Sequence, residues 1–384
     1  MTRPPEQAGY PAPLNADAGA GAPRINGAPE AGVDPSVREP PVLRVVDLRT
    51  HLQTKAGLAR AVDGVDFELR RGETVGLVGE SGSGKSMTAL SILRLHPQPA
   101  ARIVSGRVEF NGTDLLSLSE REMRRVRGRH IALILQDPMT ALNPVYSVGD
   151  QIAEPVNLHQ GLRGRSLVER TVELLRLLRI GDPEARRRAY PHQLSGGMRQ
   201  RVVGAIALSC GPEVLIADEP TTALDVTVQA AYLELLKDLQ REMHLAILFI
   251  THDFGVVGRM CDRVVVMYAG RVVETATRAR LFQHPGHPYT DALLRSVPTV
   301  AAPTKRLVTI EGQPPPVTDF PPGCRFHPRC WLYERLARPD RCRTELPLLE
   351  PSEPDAQVAC HFAAEVGRHR PDAGLAHESL GTPV

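Results

Sequence analysis

Gly79-Glu80-Ser81-Gly82-Ser83-Gly84-Lys85-Ser86 is the stretch that decides the fold. It fits the pattern G-x-x-x-x-G-K-[ST], follows the apolar run Thr74–Val78 and precedes a helical run, Met87–Leu95. Strand, glycine loop and helix together form the context in which that pattern holds phosphate. Glycines let backbone N–H groups close round phosphate oxygens, and the next helix turns its positive end toward them. Lys85 neutralises the outer phosphates, the Ser86 hydroxyl can ligate Mg²⁺, and Met87 opens the helix behind them. A plain Gly/Ser turn would not need lysine and serine at that offset.

Further apolar, strand-length runs are Ile131–Leu135, Val214–Ala217, Leu245–Ile250 and Arg263–Met267, several of them apolar on both faces. Between them, Val226 to Met243 sets Tyr232, Leu235, Leu236, Leu239 and Met243 on one helical face. Strands alternating with helices imply an α/β fold with a mostly parallel sheet. The run Val214-Leu215-Ile216-Ala217 delivers Asp218 and Glu219 to a strand end, the edge at which α/β sheets bind ligands. Acids often cap a strand without function. Beside a phosphate loop, Asp218 is the expected Mg²⁺ ligand and Glu219 the group that orients or deprotonates the attacking water.

Residues 1–41, rich in Pro, Ala and Gly, read as a disordered tail without the apolar stretch of a secretory signal. Residues about 138–195 break the alternation with an amphipathic helix around Leu167–Leu178 and read as a helical subdomain. Residues 301–365 gather four of the six cysteines into a small accessory segment, and 366–384 read as a second disordered tail. Forty-six Lys and Arg against 44 Asp and Glu give a net charge of +2, too balanced to argue for nucleic acid. The longest apolar runs fall far short of the ~20 residues of a membrane helix, so the chain is not expected to span a bilayer, and the missing secretory signal points to the cytoplasm. In that reducing compartment the cysteines are expected to be buried thiols or metal ligands rather than disulfides.

Four further elements then fall in order, and the chain resembles the ATP-binding-cassette (ABC) ATPases over roughly residues 42–300. Leu194-Ser195-Gly196-Gly197-Met198-Arg199-Gln200 resembles that family's signature loop, Gln136 its Q-loop, Ala223-Leu224-Asp225 its D-loop and His252 its switch histidine. The resemblance implies a cassette with a P-loop core sheet, an N-terminal antiparallel β portion and the helical subdomain. It also implies ATP and Mg²⁺ as ligands, with Ser86, Gln136 and Asp218 around the metal and Glu219, His252 and Gln136 as the catalytic set. Ser195, Gly196, Gly197 and Gln200 are expected to act in trans, closing on nucleotide bound to a second ATPase in a head-to-tail dimer. Members of the family usually stack adenine on an aromatic side chain, but Thr50-His51-Leu52-Gln53 places Leu52 there, leaving His51 or Val62 as substitutes.

Three longer strings, Gln136–Pro144, Ala217–Gln229 and His284–Thr290, resemble the peptide and nickel importer branch, in particular D-type dipeptide or oligopeptide ATPases. That branch implies a heterodimer of ATPases, two transmembrane permease subunits, an extracytoplasmic solute-binding protein, and a place at the cytoplasmic face of the membrane. Cys324, Cys330, Cys342 and Cys360 resemble the branch's cysteine-rich extension, which in some dipeptide importers holds an iron–sulfur cluster. Four thiolates suit Zn²⁺ or a [4Fe–4S] cluster, and reduced structural thiols remain the plain alternative. The rival functional readings are a soluble cassette ATPase acting on ribosomes or DNA, and the ATPase of an exporter.

Overall fold

A computed structural model describes residues 40–136, 138–222, 224–297 and 309–370, without the side chains of Pro138 and Met139. Nearly all of the first expected tail, and Asp137 and Ala223 of the motif strings, lie outside the described residues. The strands are β1 (Leu43–Thr54), β2 (Gly57–Leu69), β3 (Thr74–Val78), β4 (Ala101–Phe110), β5 (Thr113–Asp114), β6 (Ile131–Ile134), β7 (Val214–Asp218), β8 (Ala246–Thr251), β9 (Arg263–Tyr268), β10 (Arg271–Thr277), β11 (Glu350–Glu353) and β12 (Ala356–Val358). The helices are α1 (Lys85–Ile92), α2 (Glu120–Val126), α3 (Pro138–Ala141), α4 (Val148–Gln160), α5 (Gly164–Leu177), α6 (Pro183–Arg188), α7 (Gly196–Leu208), α8 (Val226–Met243), α9 (Phe254–Met260), α10 (Arg278–Gln283), α11 (Pro288–Arg295), α12 (Trp331–Arg335), α13 (Arg341–Thr344) and α14 (Val366–His369).

The main sheet runs β11-β12-β10-β9-β3-β8-β7-β6. Its middle, from β9 to β6, is parallel, and β10, β12 and β11 extend it antiparallel. Because successive strand side chains point to opposite faces, each central strand feeds two cores. Val75, Leu77, Val214, Ile216, Leu248 and Ile250 face α1 and the four-stranded antiparallel sheet β2-β1-β4-β5. Val78, Leu215, Ala217, Ile247 and Phe249 face the opposite core, with Val202 and Ala205 of α7 and Leu235 and Leu239 of α8. Burial on both faces is why these strands read as unbroken apolar runs.

The register aligns the strand ends. Val78 pairs with Thr251, Asp218 with Ile250 and Ile134 with Ala217, so β3, β6, β7 and β8 all finish at one edge. Between β6 and α7 the chain is helical from α3 through α6, and Val148, Ile152, Val156, Leu174 and Leu175 bury its inner side. The segment after residue 309 is joined to the sheet, since β12 pairs with β10. Residues 366–370 depart from the second expected tail: α14 is helical to His369, and Arg370 Nε lies 2.6 Å from the fully buried carboxylate of Asp291, a pairing that fixes the chain there. Residues 371–384 lie outside the described residues.

Candidate functional site

The phosphate loop joins β3 to α1, and two of its glycines are dictated by space. Gly79 has φ +153°, and a Cβ there would meet the Met267 carbonyl at 2.2 Å. Gly84 has φ +105°, and a Cβ there would meet the Ala61 carbonyl at 2.3 Å. Both positions are closed to L side chains. Lys85 is buried and donates to the loop carbonyls of Gly79 at 2.7 Å and Glu80 at 3.0 Å. Burial lowers its pKa, against the raising effect of Glu219, Asp218 and Glu80. A polyanion in the loop would add its counter-charge to that of these carboxylates.

Asp218 and Glu219 leave β7 in different conformations. Asp218 is a buried strand residue, whereas Glu219 adopts φ +46°, a left-handed turn that redirects its carboxylate. Burial and the neighbouring Glu219 charge raise the Asp218 pKa, and a hydrogen bond from Ser86 opposes them. Asp218 Oδ1 and Ser83 Oγ are buried without a hydrogen-bond partner. Orphaned oxygens in a cluster of hydroxyl and carboxylate ligands fit Mg²⁺ and phosphate, so Ser86 and Asp218 are the groups present to hold the ion. When bound, Mg²⁺ neutralises charge developing on the phosphates.

Glu219 gathers the other polar groups. Gln136 Nε2 donates to its Oε2 at 2.9 Å and Thr222 Oγ1 donates to the same oxygen at 3.1 Å, while His252 Nδ1 lies 3.0 Å from Oε1. Burial works to raise the Glu219 pKa, but His252, Thr222 and Lys85 outweigh it and the net shift is downward. The carboxylate is thereby kept ionised, the form that can accept a proton from water. Gln136 comes from the end of β6, Glu219 from β7 and His252 from β8, so aligned register makes the cluster.

The signature residues are local to α7. Ser195 caps the helix, accepting from Met198 N at 3.3 Å. Ser195 and Gly196 are exposed, and a Cβ on Gly196 would meet nothing within 4 Å, whereas one on Gly197 would meet Val228 Cγ1 at 2.6 Å. Gln200 differs from expectation. It is 1% exposed beneath the helix against Tyr232, because position 200 falls on the inward side of α7, and it is not on the outward face with Ser195. Asp225 caps α8, accepting from Val228 N at 2.9 Å. Met87 is half-buried against the core beneath α1.

Of the substitutes for an adenine-stacking ring, Val62 is fully buried and has no face to offer. His51 Nε2 lies 3.9 Å from Asp63 in a charged group that includes Arg49, Arg271 and Arg325. Cys324, Cys330, Cys342 and Cys360 line one small cavity and none is in a disulfide. Burial raises all four thiols, Cys330 to about 12 and Cys342 to about 11. Among the described residues no three His, Cys, Asp or Glu side chains converge closely enough for a single metal ion, so the Zn²⁺ expectation finds no ready-made site.

Sequence reading missed three contacts. Thr222 holds Glu219, and the loop residue Glu80 receives Tyr289 and Arg329 from the C-terminal region, its N–H donating to Tyr289 Oη at 2.8 Å. Thr222 lies inside a quoted motif, but nothing in the spacing marked its hydroxyl.

Residues 62–222 match the ABC transporter family model, and residues 273–335 match that of the oligopeptide/dipeptide transporter C-terminal region. The chain is 51% identical over 326 residues to a probable peptide ABC transporter ATP-binding protein of Sinorhizobium fredii, covering 85% of this chain and 96% of that one. It is 47% identical to the oligopeptide transport ATP-binding protein AppD of Bacillus subtilis, covering 85% of this chain and 98% of that one. It is 46% identical to the dipeptide transport ATP-binding protein DppD of Escherichia coli, covering 84% of this chain and 96% of that one. Among solved structures, the dimeric ATP-binding cassette MJ0796 bound to ADP and Pi superposes with a TM-score of 0.56 at 26% identity, over 62% of this chain and 98% of that one. No helix among the described residues is long and apolar enough to cross a membrane. With the loop, the paired acids and the strand-end cluster already assembled on a cassette sheet, these matches establish that the chain belongs to the ABC transporter ATPases, in the branch that carries the oligopeptide/dipeptide transporter C-terminal region.

Proposed function

We propose that the chain hydrolyses ATP to drive uptake of dipeptides, oligopeptides or similar small solutes, working at the cytoplasmic face of a membrane. The observation that carries the hydrolytic half is the convergence of Gln136, Glu219 and His252 at the sheet edge that bears the phosphate loop. The transported class rests on the relatives named above. In this reading Lys85 and the loop amides hold the phosphates, Ser86, Asp218 and Gln136 hold Mg²⁺, and Glu219 takes the proton of the attacking water. His252 orients that carboxylate and meets the γ-phosphate. Ser195 and Gly196, exposed at the start of α7, complete the site of a second ATPase, and the D-loop at Asp225 lies on the same interface. The dimeric state of MJ0796 supports such a pair. The partners are then a D-type chain's companion ATPase, two permease subunits and a solute-binding protein.

The further proposal that Cys324, Cys330, Cys342 and Cys360 hold a [4Fe–4S] cluster is supported by the four free thiols lining one small cavity. Anaerobic addition of iron and sulfide would give a visible charge-transfer band and bound iron, both lost in Cys342→Ser. Absence of both in the unaltered chain rejects the cluster. For the transport reading, the chain is co-expressed with its membrane partners in proteoliposomes: ATP-dependent accumulation of labelled peptide is the expected result. ATP hydrolysis without peptide entry, in the presence of binding protein, would reject it.

A further inference from the structure

Glu80 is an acid placed inside a loop built to hold a polyanion. Its carboxylate would repel the phosphates, and its charge is felt at Lys85. The structure neutralises it from the far end of the sequence. Arg329 Nη1 donates to Glu80 Oε2 at 2.8 Å and its Nη2 donates to Oε1 at 3.1 Å, a two-pronged pairing of guanidinium and carboxylate. The Arg329 side chain is 5% exposed. It is fixed by its Nε donating to the Glu311 carbonyl at 3.0 Å, by Nη2 donating to the Gly312 carbonyl at 3.3 Å, and by the Tyr268 ring 5.9 Å from its guanidinium carbon. Its backbone forms the short turn His327–Arg329, directly between Cys324 and Cys330. Tyr289, at the start of α11, adds a second hold on the same residue, accepting from the Glu80 N–H at 2.8 Å.

We propose that Arg329 is a positioning residue for nucleotide binding: the C-terminal region, through this guanidinium, cancels the Glu80 charge and fixes the first turn of the phosphate loop. The inference rests on the reading of residues 79–86 as the ATP phosphate site. It makes the affinity for ATP depend on a segment outside residues 79–86 and outside the Gln136, Glu219 and His252 cluster. An arginine that acted only through Glu311, Gly312 and Tyr268 would affect ATP equally whatever residue stood at position 80. A charge-cancelling arginine would not.

The test is Mg²⁺–ATP binding to the full-length chain, read with a fluorescent nucleotide in competition with ATP. R329A is expected to raise Kd about 10-fold, the effect of one uncompensated charge near the site at intermediate dielectric. In the E80Q background the same change is expected to shift Kd less than about twofold, and at high salt the R329A penalty shrinks because the bare charge is screened. R329K retains the cation without the two-pronged fit; it is expected to stay within about threefold of the unaltered chain and keeps the test open if R329A folds poorly. An R329A penalty of equal size with Glu80 or Gln at position 80, or an R329K loss as large as that of R329A, would overturn the proposal. Failure of the unaltered chain to bind ATP would instead reject the phosphate-site reading itself.

Discussion

Glu219 Oε1 and His252 Nδ1 lie 3.0 Å apart at the ends of neighbouring strands, with Gln136 bonded to the other carboxylate oxygen. Beside the nearby Thr222, the acid is thus held by two distant side chains whose only common feature is arrival at the same sheet edge. Glu219→Gln keeps the shape and removes the base, so ATP binding is expected to persist while turnover falls about 10²–10⁴-fold. Single-turnover hydrolysis with pre-bound nucleotide checks it. A near-normal rate would take Glu219 out of the role.

The two signature glycines are expected to separate stability from turnover. Gly197→Ala drives a methyl against Val228 Cγ1 and is expected to destabilise the isolated chain by about 1–2 kcal/mol, whereas Gly196→Ala meets nothing in its own chain and is expected to leave the melting temperature intact. If Gly196 closes on a partner's nucleotide, its alanine variant still loses ATPase activity in the assembled pair. Thermal melts of the single chain beside ATPase rates of the pair distinguish these effects.

Acid sensitivity is expected at Glu213. His130, Asn111 and Arg71 surround this carboxylate and hold its pKa down to about 2, with burial opposing them. A folded-state pKa below the unfolded one means that the contribution is complete above about pH 4.5 and disappears as pH falls toward about 2. Glu213→Gln is expected to cost about 1–2 kcal/mol at pH 7, allowing for partial exposure, and the deficit should close across that window. Urea midpoints of the two proteins at stepped pH read the difference directly.

The attachment of the C-terminal region is expected to hinge on Asp63. This buried carboxylate faces Arg325, which also donates to the Ala269 carbonyl, and lies 3.1 Å from Arg49 and 3.5 Å from Arg271. Asp63→Asn leaves the Arg325 guanidinium buried without its anion, a loss of about 3–5 kcal/mol. Limited proteolysis should then release fragments from beyond residue 309 sooner than in the unaltered chain. An unchanged digestion pattern would assign the attachment to the pairing of β10 with β12 instead.

By itself the sequence determined the chemistry-bearing stretches and the central strands. Thr74–Val78 and the helix Val226–Met243 match their expected bounds, and the phosphate loop, the paired acids and His252 stand where strand ends put them, because local pattern and short-range geometry suffice there. The same reasoning named Gln136 and Glu219 but could not bring them together: the contact depends on β6, β7 and β8 being neighbours, and strand order is not written in any local window. Gln200 went astray because a motif fixes spacing along a helix, while the neighbours of that helix decide which side is buried. Most of all, only the tertiary structure joined Glu80 to Arg329, residues far apart in the chain with no shared pattern. An ion pair between distant positions forms when the fold brings two charges to one place, and no sequence interval announces it.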